Sequence, residues 1–130
     1  MQRVLVVDDD LDLCCSMSTV LTHRGFCVDC VEDGRKALDY LKQNIPDVIL
    51  LDLQMEGLDG LSTLQILREK HGDLPVIIIT SHGTFENALT SIDLEVADFI
   101  RKPIDFHKLI EEIENIKIRK QKLLFVQLED

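Results

Sequence analysis

Residues 47–60 read DVILLDLQMEGLDG: four apolar residues, Val48 to Leu51, run straight into a carboxylate, Asp52, and then into a loop that closes on Gly60. An apolar run of this length, bounded by turn residues, fits a strand covered on both faces. A carboxylate at the end of such a strand loses hydration, so it calls for a reason to be there. Working outward from Asp52, the same pattern recurs along the chain. Further runs lie at residues 3–8 (RVLVVD), 26–31 (FCVDCV), 75–80 (PVIIIT) and 98–102 (DFIRK), and three of the five runs are continuously apolar.

Helix-period segments fill the gaps. Leu13, Met17 and Leu21 form a stripe after the candidate N-cap Asp10, and Ala37, Leu38 and Leu41 form a second. Leu61, Leu64 and Leu67 give a third, Phe85, Ala88 and Leu89 a fourth. The last begins near Asp105 and carries Leu109, Ile110 and Ile113. Gly25, Pro46 and Gly72 punctuate the strand entrances. Five alternations joined by right-handed crossovers predict an α/β fold, a doubly wound, five-stranded parallel sheet with five flanking helices.

A chain of 130 residues is the size of one ordinary domain. Its formal charge of −10 repels phosphate backbones and anionic lipid, which argues against direct nucleic-acid or membrane partners and favours proteins or cations. The opening MQRVLVV is too short for a signal-peptide core, no apolar run approaches a membrane span, and a cytoplasmic location is expected. Four cysteines include CVDC at residues 27–30, a metal-like spacing. On a strand, however, residues three apart point to opposite faces, and Cys14 and Cys15 diverge by roughly 100° on a helix. Buried free thiols are the expected state.

In a doubly wound sheet, ligands bind beyond the carboxyl ends of the strands. Asp8, Asp9 and Asp10 follow the first run, Asp52 ends the third but for Leu53, Thr80 and Ser81 follow the fourth, and Lys102 closes the fifth. All should gather at one rim. Clustered carboxylates repel one another unless a cation sits among them, and an all-oxygen set selects a hard ion such as Mg²⁺. A lysine and a hydroxyl at the same rim suit a phosphoryl group, and Asp52 reads as a nucleophile held rigidly and aimed outward.

With VVDDD, LLDLQM followed by LDG, IIIT and DFIRKP in order at successive strand ends, the chain resembles the receiver (phosphoacceptor) domain of two-component response regulators. The resemblance spans residues 3 to about 117 and implies the flavodoxin-like strand order 2-1-3-4-5. It also implies that Asp52 accepts phosphate from a histidine kinase or phosphotransfer protein, with the domain catalysing only its own phosphorylation and hydrolysis. Asp9 would bind Mg²⁺ directly, Asp8 largely through water, and the backbone carbonyl of Gln54 would complete the protein ligands beside Asp52. Thr80 and Lys102 would each engage a phosphoryl oxygen. Thr80 and Phe99 match the switch positions, Gln54 and His82 flank the path of hydrolytic water, and Lys102-Pro103 matches a peptide that is typically cis.

Departures from the family pattern are Glu56 where proline is common, Glu95 where a helix-ending glycine is expected, and Phe99 in place of tyrosine. Three rival readings fit the residues less well. A haloacid-dehalogenase-like phosphatase would use Asp8, Asp10 and Asp12, but it leaves Asp52 unexplained. A receiver-like interaction module that is never phosphorylated would not need the full acidic set with Thr80 and Lys102. An EF-hand loop fails because Leu13 stands where glycine is required.

The receiver is expected to occupy residues 1–117, with residues 118–130 a helical extension or linker toward an output domain or protein that the sequence does not identify. Leu109, Ile113, Ile116, Lys120 and Leu123 recur at alternating steps of four and three, which predicts a helix reaching at least Lys122 and a weak homodimer through this last helix.

Overall fold

The computed structural model describes residues 2–54, 60–81 and 96–129, the last seven as helical backbone. Five strands, β1 (Arg3–Val7), β2 (Cys27–Val31), β3 (Val48–Asp52), β4 (Val76–Thr80) and β5 (Asp98–Arg101), pair in parallel in the order β2-β1-β3-β4-β5. Four helices accompany them among the described residues: α1 (Leu11–His23), α2 (Gly34–Leu41), α3 (Gly60–Lys70) and α4 (Phe106–Glu129). The expected helix carrying Phe85, Ala88 and Leu89 lies outside the described residues, as do Glu56, His82 and Glu95.

The period-two alternation of the strands sorts the core into two layers. On one face Val4, Val6, Val48, Leu50, Ile77, Ile79 and Ile100 pack against Cys14, Met17 and Leu21 of α1 and Leu109, Ile110, Ile113 and Ile116 of α4. On the other, Leu5, Val7, Ile49, Leu51, Val76 and Ile78 meet Ala37 and Leu41 of α2 and Leu64 and Leu67 of α3. β3 and β4 are buried along their whole length, as their unbroken apolar runs require. Each such side chain taken from water contributes about 1.5–3 kcal/mol before chain entropy is counted.

Local chemistry sets the helix starts. Asp10 is the N-cap of α1, its Oδ1 accepting from the Leu13 N–H at 3.1 Å, and Asp33 caps α2 by accepting from Lys36 N at 2.8 Å. Gly25, at φ +90°, turns the chain from α1 into β2 in a conformation that side chains rarely adopt. Gly60 is pressed so closely on the Asp52 carbonyl and the Leu53 backbone that an added Cβ would collide with both.

The last helix runs unbroken past residue 117 to Glu129. Leu109, Ile113 and Ile116 are buried in the domain's own core, and Lys120 Nζ donates to the Asp47 carbonyl at 3.2 Å. The heptad-like seam therefore faces the sheet over these turns. An amphipathic helix laid on a sheet and one side of a coiled coil share nearly the same spacing, which is why the sequence alone suggested pairing. Ile118, 48% exposed, lies on the other side.

All four cysteines are free, but the expectation that they are buried holds only for Cys14. β2 is an edge strand, which leaves Cys27 and Cys30 exposed, and Cys15 sits on the outer side of α1.

Candidate functional site

Parallel strands bring their C-terminal ends to one rim, and the residues there are Asp8 just after β1, Asp52 closing β3, Thr80 closing β4 and Lys102 just after β5. Asp8 and Asp52 are 1% and 2% exposed, and Thr80 is fully buried. Each carboxylate is held in the same manner. Oδ1 accepts a backbone N–H from two residues ahead, Asp10 N to Asp8 and Gln54 N to Asp52, both at 2.9 Å. Oδ2 faces Lys102, whose Nζ stands 3.2 Å from Asp8 and 3.3 Å from Asp52. Asp8 Oδ2 meets that ammonium as an ion pair without a well-aligned hydrogen bond. Asp9, exposed beside them, completes a triad in which one carboxylate oxygen from each of Asp8, Asp9 and Asp52 lies within 4.8 Å of the others.

The electrostatics follow from this packing. Burial pushes the Asp52 carboxyl up to about 6; the Gln54 N–H pulls it back, Asp8 raises it, and Lys102 lowers it again. Burial alone would weaken the Lys102 ammonium, but the Asp52 and Asp8 carboxylates outweigh that and hold it above the ordinary lysine value. Among the described residues, three carboxylates against one ammonium leave a formal charge of −3 + 1 = −2, the charge that a divalent cation neutralises. The oxygen-only donor set fits Mg²⁺.

Asp10 and Asp12 do not join this cluster. The first is committed to the α1 cap and the second is exposed in the first turn of the helix, so the carboxylates spaced two apart do not form the nucleophile and acid of a phosphatase. Phe99 is partly buried against the layer that holds α2 and α3, with its N–H donated to Asp98 Oδ1 at 2.8 Å. The Lys102-Pro103 peptide is cis. Ser81, which the strand-end pattern passes through without assigning a role, donates its hydroxyl to Gln54 Oε1 and so links the β3 and β4 ends above the pocket. A hydroxyl directly after Thr80 was the available signal. Gly60 is the other residue that the pattern underrates, because its role is a close approach and not a functional group.

Residues 4–114 match the model of the response regulator receiver domain. The chain belongs to the response regulator receiver domain family. Among curated relatives, this receiver is 34% identical over 108 residues to the response regulator MprA of Mycolicibacterium vanbaalenii, an alignment covering 83% of this chain and 47% of MprA. It thus spans about half the length of that relative. Among solved structures it superposes on a Francisella response regulator receiver domain with a TM-score of 0.84 at 32% identity, covering 92% of this chain and 99% of that one. TrrA from Thermotoga maritima, solved in complex with Mg²⁺ and BeF, gives a TM-score of 0.81 at 28% identity, with 89% and 99% covered. No helix among the described residues is long and apolar enough to cross a membrane.

Proposed function

We propose that this receiver accepts a phosphoryl group on Asp52 from a histidine kinase or phosphotransfer protein and passes the change to an output domain or protein. The observation that carries the reading is the single ammonium of Lys102 set between the buried carboxylates of Asp8 and Asp52 at 3.2 and 3.3 Å. Such a cation is poised to pair with the oxygens of a group added to Asp52. The complex of the related TrrA with Mg²⁺ and BeF supports the same metal here, with Asp8, Asp9, Asp52 and the Gln54 carbonyl as its protein ligands.

Transfer needs an ionised Asp52 oxygen in line with the bond that breaks between phosphorus and the donor nitrogen. The strand fixes the direction of that carboxylate, and the Gln54 N–H holds its Oδ1. As the new O–P bond forms, the donor imidazole leaves with its electron pair, and Lys102 moves its hydrogen bond from Asp52 to a phosphoryl oxygen. The Thr80 hydroxyl, buried at the end of the neighbouring strand, supplies a second donor. Bound Mg²⁺ would neutralise the transferred oxygens. Hydrolysis reverses the outcome when water reaches the phosphorus, and the Gln54 and His82 side chains tune that access. Motion of Thr80 toward the phosphoryl group, followed by Phe99, is the conformational signal. Residues 118–130 carry the signal onward as an extension of the last helix.

The test is direct. With Mg²⁺ and acetyl phosphate, intact-mass analysis should record one added phosphoryl group, mapped to Asp52 and absent in Asp52→Ala. Mg²⁺-dependent labelling that persists in Asp52→Ala would remove the assignment.

A further inference from the structure

The thiols of Cys14 and Cys30 meet beside the acidic pocket. β2 pairs with β1 so that Cys30 lies alongside Val6. Paired residues of parallel strands project to the same side, and Val6 belongs to the layer that packs on α1. Cys30 therefore points toward α1, whereas Cys27, three residues earlier, points the other way. From α1, Cys14 points inward and is 6% exposed. The Cys30 thiol donates to the Cys14 carbonyl at 3.8 Å, the Cys14 thiol donates to the Asp8 carbonyl at 3.4 Å, and each thiol shifts the ionisation of the other.

We propose that Cys14 and Cys30 are a redox-active dithiol that closes to an intramolecular disulfide under a two-electron oxidant of the hydroperoxide class. Cys30, the more exposed residue of the pair, meets the oxidant first. Its sulfur attacks the peroxide, the O–O bond breaks, Cys30 sulfenic acid forms, and the leaving oxygen takes the thiol proton to depart as water from hydrogen peroxide or as an alcohol from an organic hydroperoxide. The Cys14 sulfur then displaces hydroxide from Cys30, the S–S bond forms, and the hydroxide leaves as water with the Cys14 proton. Burial pushes both thiols up, Cys14 to about 12, so the reduced pair reacts slowly and proximity selects the partner more than thiolate population does. Cys15, the next residue on the helix, diverges from Cys14 by roughly 100° and is directed outward.

The location gives the bond a consequence. The Asp8 peptide is held by the two elements that the disulfide would join: its N–H donates to Val31 O of β2 at 3.1 Å, and its carbonyl accepts from Cys14 of α1 at 3.4 Å. Oxidation removes that S–H donor and ties α1 to the edge strand across a separation of 16 residues. The proposal is independent of phosphoryl transfer.

The experiment treats the 130-residue chain with hydrogen peroxide, alkylates the remaining thiols under denaturing conditions and maps non-reduced peptides. The expected product is monomeric, has lost two hydrogens, carries alkyl groups on Cys15 and Cys27, and reverts with dithiothreitol. Cys15→Ser and Cys27→Ser should form the same link, and Cys30→Ser, a change on an exposed edge strand that preserves the core, should form none. Loss of the link in Cys15→Ser, its persistence in Cys30→Ser, or oxygen addition without any internal link would each overturn the proposal.

Discussion

Lys102 Nζ lies 3.3 Å from Asp52 Oδ2 although 50 residues separate the two in the chain. The contact exists because β3 and β5 flank β4 and all three end at the same height. Removing the ammonium leaves two buried carboxylates facing each other. Lys102→Ala should therefore lower Mg²⁺-dependent labelling of Asp52 by about 100-fold or more, the usual effect of losing one preorganised donor to a transferring group. Labelling rates with acetyl phosphate measure it, and a rate near wild type would contradict the role given to this lysine.

The raised pKa of Asp52 makes a pH prediction for the metal-free protein. The folded chain holds this proton up to about pH 6, whereas the unfolded carboxyl releases it near 3.8. Between those values the folded state binds more protons, so the Asp52 contribution to stability declines as pH rises from about 3.8 to 6 and stays unfavourable above that. Asp52→Asn should raise the stability of the metal-free protein at neutral pH by about 1–2 kcal/mol, allowing for the lost pairing with Lys102. Urea titrations of both proteins across this range, without metal, provide the measurement. Mg²⁺ should stabilise the wild type more than the variant.

Gly60→Ala should be among the most damaging substitutions outside the core. The new methyl would strike the Asp52 carbonyl and the Leu53 backbone, neither of which can rotate aside. A loss of about 2–4 kcal/mol is expected, with labelling at Asp52 impaired in whatever fraction remains folded. Thermal unfolding separates this from Gln65→Ala on the exposed side of the same helix, which should cost far less.

Gln54 and Ser81 are joined by a side-chain hydrogen bond at the mouth of the pocket. Neither side chain is among the proposed metal ligands. Gln54→Ala and Ser81→Ala should each change the decay rate of phosphorylated protein several-fold while leaving phosphorylation intact, and the double variant should resemble one of the singles because the residues act as a unit. Radiolabel chase after donor removal would reveal additivity if they act separately.

The last helix offers a contrast between its two sides. Ile113→Ala should destabilise the monomer by about 2–5 kcal/mol, because Ile113 is fully buried against the sheet. Ile118→Glu should leave monomer stability within about 0.5 kcal/mol, since that side chain is 48% exposed. With the seam on the sheet, pairing through this helix has only its exposed side to use, so self-association expected in sedimentation with Mg²⁺ and beryllofluoride should vanish in Ile118→Glu. A monomer throughout would exclude pairing by this helix.

The order of acids, hydroxyl and lysine at successive strand ends was legible because a parallel sheet converts sequence position directly into spatial position. The cap Asp10 was legible for a local reason, since its side chain bonds the backbone only three residues ahead. The fate of the α4 seam was not, since Leu109, Ile113 and Ile116 satisfy a sheet and a partner helix equally well by spacing. The exposure of Cys27 and Cys30 depended on β2 being an edge strand, a property of strand order and not of the strand's own residues. Ser81 and Gly60 act through one neighbour each, and such pairings appear only once the loops are folded.

The anchoring of α4 turns it into a lever. Its 24 residues form a rod about 36 Å long, clamped along its first half by Leu109, Ile113 and Ile116 and pinned at Lys120 to the amino end of β3. The helix continues about 13 Å beyond Lys120, so a tilt of about 10° at the clamp sweeps its tip through roughly 2 Å. The pivot lies at the end of β3 opposite Asp52, so the strand carrying the acceptor at one end holds the lever's fulcrum at the other.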